Sequence, residues 1–219
     1  VGGGCVEAQV LAAARAVIGT GKPQRLSFEL SQDAVSNDGL LCGGELEVFV
    51  EPIIPQPRAL IFGGGHISLS LSRIAAIAGF ATVVVDDRQS FASRERFPEA
   101  EAVHAAPYEE IFPALAINES AYIIIVTRGH KDDLRVLRLA AASPARYIAM
   151  VGSRKKVAEA LGELVKEGIA REAFGRIYAP MGLDIGAITP AEIAVSVVAE
   201  MIALRRGASS NWRSLSKSI

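Results

Sequence analysis

The chain has 219 residues, 50% of them hydrophobic and 21% charged, and this composition excludes a largely disordered protein. Its 23 basic and 24 acidic residues give a net charge of −1, so the basic excess typical of nucleic-acid binders is absent and we expect no nucleic-acid partner. Its longest apolar runs have about six residues, far below the ~20 that span a bilayer. Two cysteines fit a reducing compartment, and we expect a cytoplasmic protein without a membrane partner.

Residues 1–54 are predicted to form a small α/β module. The Ala- and Val-rich segment 6–18 is typical of a helix that ends at the glycines following it. Strands are predicted at 26–30 and at 45–51, where polar and apolar residues alternate. About 55 residues cannot build a large core, and the chain opens inside a glycine run. We therefore expect this module to be partial, with its natural start upstream.

A second region, residues 55–207, follows three closely spaced prolines that favour extended chain. Strand-like and helix-like segments alternate in it, which predicts a Rossmann-like, doubly wound parallel α/β sheet with strand order 3-2-1-4-5. Strands are predicted at 59–62, 82–86, 102–104, 122–126, 147–151 and 176–178, and helices at 67–78, 131–142, 153–167 and 190–206. Residues 208–219 are predicted to be a C-terminal tail, which is Ser-rich and loose over 211–219.

A glycine loop lies between the first strand and the first helix of this region. Gly63, Gly64 and Gly65 begin a variant of the dinucleotide fingerprint in which Ser68 replaces the third glycine. Such glycines let a phosphate approach the free N–H groups of a helix N-terminus. Asp86 ends the next strand, where a ribose-binding acid belongs. The loop predicts a phosphate-bearing ligand, and the alternative is a tight turn kept only for packing.

Polar segments follow several predicted strands and should meet at one edge of the sheet, because the carboxyl ends of parallel strands lie together. They include 86–88 after the second strand, 127–133 after the fourth and 152–156 after the fifth. Their cations suit an anionic ligand, whereas each loop taken alone would be ordinary solvated surface. The candidate binding residues at this edge are His66, Arg88, Arg128, His130, Ser153, Arg154 and Lys155.

Two of the three histidines, His66 and His130, are predicted at the ends of neighbouring strands. They could ligate a metal, transfer protons or donate hydrogen bonds to a phosphate. A pair of histidines falls short of the three protein ligands that a metal site usually has, so the pair is weak evidence for a metal.

The two cysteines lie in glycine-rich segments. Cys5 comes at the start of the first predicted helix, where the N-terminus lowers the pKa of a thiol, and Cys42 precedes a predicted strand. As thiolates they could bind a soft metal or carry sulfur, and the alternative is that both are small buried apolar residues. Their spacing excludes a C-x-x-C site, and the chain has neither a Walker loop nor a G-x-S-x-G elbow.

Taken together, these segments resemble the XdhC/CoxI family, the xanthine dehydrogenase accessory factors. Residues 3–7 around Cys5 and 42–52 after Cys42 are similar to its N-terminal module. Its C-terminal Rossmann module is matched by 62–66, 85–88, 94–98, 152–156, 179–187 and 189–194. The resemblance covers nearly the whole chain in the right order, although family members carry further sequence before the first of these motifs.

The resemblance implies a role in maturing molybdenum hydroxylases. Such a protein binds the molybdenum cofactor (molybdopterin), holds it during sulfuration by a cysteine desulfurase, and delivers it to an apo molybdenum hydroxylase. It would be a cofactor-binding chaperone without catalytic residues of its own. We expect the glycine loop and the cations of the sheet edge to receive the phosphate or nucleotide end, and Cys5 and Cys42 to face the molybdenum or relay sulfur.

Two alternatives stay open. One is an NAD(P)-dependent oxidoreductase, with Asp86 on the ribose and His66 or His130 as the proton-transfer group. The other is a regulatory module in which a bound dinucleotide only reports redox state. For each reading we expect a homodimer, because the apolar surface of so Ala-rich a chain needs covering.

Overall fold

The computed structural model describes residues 4–30, 44–53, 55–208 and 214–216, which divide into two compact units, Val1–Pro55 and Gln56–Ile219. In the first unit, helix α1 (Cys5–Thr20) is followed by strands β1 (Gln24–Leu30) and β2 (Gly44–Val50), which pair antiparallel. Val17 of α1 is buried, while Phe49 of β2 is 63% exposed. The predicted helix and strands of this module are thus present.

The second unit is built on six parallel strands in the order β5-β4-β3-β6-β7-β8. Their bounds are β3 Arg58–Phe62, β4 Ala81–Asp86, β5 Ala102–Ala105, β6 Ala121–Ile125, β7 Tyr147–Met150 and β8 Ile177–Tyr178. The first strand of this unit, β3, lies between β4 and β6, so the order of strands along the chain reverses its direction across the sheet at this point. This confirms the predicted Rossmann-like fold, with β8 added beyond the fifth strand.

Helices cover both faces of the sheet, because buried strands alternate their side chains between two apolar layers. On one face, Ile61 of β3 packs in a cluster with Leu71 and Met201, from helices α2 (His66–Ile77) and α6 (Pro190–Arg206). The opposite face carries Leu60 and is covered by α3 (Tyr108–Ile111), α4 (His130–Ala141) and α5 (Arg154–Lys166). None of the helices in the described part of the chain is both long and apolar enough to cross a bilayer.

Three short helical segments in the structure were not predicted from the sequence. They are α3 and two 3-10 turns, Phe112–Leu115 and Arg171–Arg176. A segment of four to six residues is too short to show a helical period, so the hydrophobic pattern carried no signal for it.

Glu200, in the middle of α6, holds together parts of the chain that are distant in sequence. Its side chain is fully buried, and its Oε2 accepts hydrogen bonds from the Tyr147 hydroxyl at 2.6 Å and the Gly182 N–H at 2.9 Å. Its Oε1 accepts from the Ser214 hydroxyl. Burial, and then Glu200, raise the pKa of Tyr147 well above its usual value, so the phenol keeps its proton.

The prediction of a loose tail over 211–219 is wrong at Ser214. This residue is buried and pairs with Leu183 in an antiparallel bridge, and the Leu215 N–H donates to the Gly182 carbonyl at 3.0 Å. A serine-rich sequence does not reveal such docking, because the partner carboxyl group lies on another element. Residues 209–213 and 217–219 of the tail lie outside the described residues.

Candidate functional site

The first two glycines of the loop after β3 are required by packing within the protein. Gly63 has a φ of 111°, and a Cβ there would lie 2.3 Å from the Val126 carbonyl oxygen. Its N–H donates to the Val85 carbonyl at 2.7 Å. A Cβ at Gly64 would lie 2.3 Å from the Phe91 carbonyl oxygen. Both positions therefore exclude a side chain, with or without a ligand.

Gly65 is different, because it faces open space at the start of α2. Among the described residues, a Cβ there would meet no atom within 4 Å, and no side chain caps the helix. The first N–H groups of α2 are thus left without side-chain partners at the positive end of the helix dipole, beside the exposed His66. This is the geometry in which backbone N–H groups bind a phosphate.

Ser68 occupies the position of the third glycine in the dinucleotide fingerprint. It is fully buried in the first turn of α2, and its hydroxyl donates to the Gly63 carbonyl at 2.5 Å. The departure from glycine therefore leaves the loop intact, because the serine is bonded to it.

Asp86, the predicted ribose-binding acid, is bound within the protein. Its Oδ2 accepts from the Gly64 N–H at 2.7 Å and from Arg88 Nη2 at 2.9 Å. Its Oδ1 accepts from the Arg88 N–H at 3.0 Å and from Arg88 Nε at 2.8 Å. The side chain is 1% exposed, so Asp86 holds the glycine loop and Arg88 in place and has no oxygen left for a ribose.

Asp86→Asn is expected to lower the free energy of unfolding by about 1–2 kcal/mol at pH 7. Burial alone would raise the pKa of Asp86, but Arg88 and the two backbone N–H groups together bring it below its usual value. A carboxylate with a lowered pKa stabilises the folded state above its unfolded-state pKa of about 3.9, and this is lost as pH falls toward the folded-state value. Urea denaturation should show the difference shrinking between about pH 5 and pH 2; a difference that stays constant with pH would contradict this role.

Arg88 and Arg128, which were predicted to bind an anionic ligand, form ion pairs with carboxylates of the protein itself. Arg88 is bonded to Asp86 and stacks on the Phe91 ring, 3.6 Å from its centroid. Arg128 follows β6, and its Nη2 lies 2.7 Å from Asp87 Oδ2 at the end of β4. Since β3 lies between β4 and β6, this ion pair bridges the gap above the end of β3, which we call the β3 crevice. Arg128 Nε also lies 3.0 Å from Asp132 Oδ2, so this arginine forms ion pairs with two carboxylates.

Arg96, by contrast, is a cation at the glycine loop that the sequence-based candidates did not include. Its Nη2 donates to the Gly64 carbonyl at 2.9 Å, and its guanidinium lies 5.2 Å from the Phe91 ring centroid. Within the described residues it pairs with no carboxylate. Only the family resemblance had singled out its segment, because a lone arginine in a loop carries no pattern.

Arg154 and Lys155, the predicted cations at the start of α5, form no ion pair within the described residues. Ser153 caps the helix by accepting from the Lys156 N–H at 3.4 Å. Arg154 and Lys155 are exposed, and no described carboxylate forms an ion pair with either. Cations in the first turn oppose the helix dipole, so this turn favours an approaching anion.

His66 and His130 begin α2 and α4, at the carboxyl ends of the neighbouring strands β3 and β6. Near His130, Asp133 is buried and accepts from the Thr127 hydroxyl at 2.6 Å, and burial raises the pKa of this carboxyl group. The described residues contain no group of three side chains suited to a metal.

Sequence reasoning also missed Tyr108, the first residue of α3. It is 2% exposed, and its ring packs edge-on against Phe62 with 6.0 Å between centroids. Burial, and then the carboxylates of Asp86, Asp87 and Asp132, raise the pKa of its hydroxyl above the usual value, so the phenol keeps its proton. No sequence signal marked it, since α3 is one turn long.

The cysteines predicted to face the molybdenum are not brought together by the described residues. Cys5 begins α1, but its side chain lies outside the description, and Cys42 lies outside the described residues entirely. Their role in binding metal stays a prediction.

Two protein-family models match the chain. The XdhC Rossmann domain matches residues 59–201, and the XdhC and CoxI family model matches residues 1–29. Because the first match covers more than half of the chain, it establishes the family.

Two curated relatives are similar over most of this chain. The uncharacterized protein YqeB of Escherichia coli K12 is 31% identical over 209 residues, which is 95% of this chain and 38% of that protein. A Bacillus subtilis 168 protein named as a probable xanthine dehydrogenase subunit is 30% identical over 159 residues, or 73% of this chain and 46% of that protein. The chain thus spans less than half the length of either relative.

A solved structure described as a xanthine dehydrogenase from Bacillus halodurans has the same fold. It superimposes with a TM-score of 0.60 at 21% identity, covering 95% of this chain and 82% of that chain. At this level of identity the likeness extends to the fold alone.

Proposed function

This chain belongs to the XdhC and CoxI family, and we propose that it is an accessory factor in the maturation of a molybdenum hydroxylase such as xanthine dehydrogenase. In this role it binds the molybdenum cofactor, which supplies the metal centre of the hydroxylase. A cysteine desulfurase and the apo-hydroxylase are its proposed partners, and a homodimer is its proposed state. The uncapped N-terminus of α2 at the glycine loop is the observation that carries the proposal.

The residues around this loop fit the phosphate end of molybdopterin. Gly65 leaves open space in front of the first N–H groups of α2, and Arg96 adds a positive charge that no described carboxylate neutralises. Arg154 and Lys155 place two further free cations after β7, at the same edge of the sheet. These residues would bind and orient the phosphate, while Cys5 and Cys42 remain the predicted ligands of the metal end.

The oxidoreductase alternative gains no support from this geometry. It relied on Asp86 to read the ribose of NAD, and all the hydrogen-bonding directions of that carboxylate are used by Gly64 and Arg88.

Gly65→Ala is expected to weaken binding of the molybdenum cofactor about tenfold, because its Cβ would enter the space through which a phosphate approaches the helix. The free energy of unfolding should change by less than about 0.5 kcal/mol, since no protein atom is near. Anaerobic equilibrium binding measures the first quantity and urea denaturation the second. Activation of an apo-hydroxylase by each variant provides a functional readout.

Gly175→Ala is the matched control, because a Cβ there also meets open space but the residue precedes β8 at the opposite edge of the sheet. If Gly65→Ala binds the cofactor as tightly as the wild type, the phosphate does not bind at the glycine loop. A Cys5→Ala/Cys42→Ala variant tests whether the two cysteines bind the metal end of the cofactor. If cofactor retention and hydroxylase activation both stay unchanged, the cysteines do not have this role. A wild-type protein that neither holds cofactor nor activates the hydroxylase would contradict the proposed function itself.

A further inference from the structure

We propose that the outer face of α6 is the surface through which two copies of this chain associate. In the dimer, the two α6 helices lie antiparallel across a two-fold axis that passes next to Ala199. The inference gives the proposed homodimer its interface. It does not depend on the phosphate site at the glycine loop, so its failure would leave the proposed binding of cofactor standing.

The outer face of α6 is apolar where a surface helix usually carries charge. Between Glu192 and Arg205 the helix has a single charged residue, Glu200, and its side chain is fully buried on the inner face. On the outer face, Val195 is 48% exposed. A helix that is apolar on its inner and outer sides is usually covered on both. The described residues leave the outer side of α6 open, so a partner is expected to cover it.

Exposed isoleucines extend this apolar surface at both ends of α6. Ile188, just before the helix, is 84% exposed. Ile77, the last residue of α2, is 88% exposed, and it lies beside the last turn of α6 because Arg205 Nη2 donates to the carbonyl of the residue after it at 3.1 Å. With Val195 and Ile185, they are four of the five large apolar side chains that are exposed in the described part of the second unit. Such clustering is typical of an interaction surface.

The residues of the outer face form one stripe along the helix. Their spacing alternates between three and four residues, and they are Glu192, Val195, Ala199, Ile202 and Arg206. Side chains at this spacing lie on one side of a helix and can be buried against a second helix. Ala199 is at the centre of the stripe, with Glu192 and Arg206 each seven residues away. Its small side chain lets two helices approach closely at this point.

The charges of the stripe favour a second copy as the partner. Glu192 and Arg206 are exposed at opposite ends of α6, and neither forms an ion pair within the described residues. Antiparallel pairing about Ala199 brings Glu192 of each copy to Arg206 of the other, and Ile188 of each copy toward Ile77 of the other. An interface that uses the same patch on both copies must match itself in this way, whereas an unrelated partner requires no such symmetry.

Sedimentation equilibrium of the full chain measures the association. The wild type is expected to be a dimer at micromolar concentrations. Val195→Asp should raise the dissociation constant of the dimer at least about a hundredfold, because the axis would bury two carboxylates without partners. Arg206→Glu should raise it about tenfold, because like charges would then meet at both ends of the stripe. Both side chains are exposed in a single copy, so the far-UV circular dichroism spectrum should match that of the wild type.

Val165→Asp is the matched control. Val165 is likewise an exposed valine of a helix, but it lies on α5, which covers the opposite face of the sheet. It should leave the dissociation constant unchanged. A wild type that sediments as a monomer at micromolar concentrations, or a Val195→Asp variant that dimerises as tightly as Val165→Asp, would overturn the inference.

Disulfide cross-linking tests the position of the axis. In a Cys5→Ala/Cys42→Ala background, Ala199→Cys should form a disulfide between two copies on mild oxidation, because residues at the axis come within the Cα–Cα distance of about 6 Å that the bond needs. Ala158→Cys, at an exposed alanine of α5, should form none. A dimer that cross-links at position 158 and not at 199 would contradict the proposed interface. Cofactor retention by Val195→Asp shows separately whether the proposed function survives loss of the dimer.

Discussion

Replacing Glu200 by alanine is expected to lower the free energy of unfolding of the second unit by about 3–5 kcal/mol. The substitution leaves a cavity in a fully buried site and removes the acceptor of three donors, on Tyr147, Gly182 and Ser214. Tyr147 and Gly182 are buried, so these two donors would be left unpaired, whereas the Ser214 hydroxyl could still donate to Ser216 Oγ, 2.7 Å away. Buried donors left unpaired are among the few single changes whose cost reaches this size.

Urea denaturation followed by far-UV circular dichroism would measure this loss as a lower midpoint at an unchanged slope. Glu200→Gln keeps an acceptor oxygen and nearly the same volume, so it should recover part of the loss. Glu163→Ala is the control, since Glu163 lies on α5 with its side chain 44% exposed and is paired only with Lys166 among the described residues. If Glu200→Ala costs no more than this surface change, Glu200 does not hold these segments together.

Gly63→Ala is expected to be nearly as damaging, with a loss of about 3 kcal/mol or more in the free energy of unfolding. Two costs add at this position. The φ of 111° is one that residues with a Cβ rarely adopt, and the new Cβ would lie 2.3 Å from the Val126 carbonyl oxygen. Because that oxygen belongs to the backbone at the end of β6, relief would require the loop and the sheet to separate.

Gly79→Ala separates these two costs. Gly79 also has a positive φ, 81°, but the nearest atom to an added Cβ is 3.9 Å away, at the flexible end of Arg205. Its loss should be about 1 kcal/mol, which reflects the backbone conformation alone. Thermal and urea denaturation of Gly63→Ala and Gly79→Ala would measure the two losses in the free energy of unfolding. Equal losses in both would mean that the close approach of the β3 loop to β6 contributes little.

The regular part of the fold could be predicted from residue patterns because its signals are local. Runs of β-branched residues such as 122–126 and 82–86 marked the buried parallel strands, and glycines after helical segments marked where those helices end. Thr189 and Pro190 predicted the start of α6, and Thr189 does cap the helix by accepting from the Glu192 N–H. In each case a few neighbouring residues determine the structure.

The candidate site was predicted in outline but not in its contacts. The glycine loop and the edge of the sheet follow from strand order, whereas the state of each charge depends on partners remote in sequence. Arg128 and Asp87 are 41 residues apart and form one ion pair. Asp86 matched the position of a ribose-binding acid, yet Arg88 and the loop itself occupy it. A motif identifies residue types at a place and cannot show which of them are already paired.

The docking of Ser214 onto Glu200 has a practical consequence for anyone who isolates the Rossmann unit. The match to the family's Rossmann domain ends at residue 201, and α6 ends at Arg206, so either boundary looks like a natural place to cut the gene. A fragment ended there would lack the hydroxyl that donates to Glu200 Oε1 and the backbone N–H that donates to Gly182. Fragments for crystallisation or spectroscopy should therefore extend through Leu215.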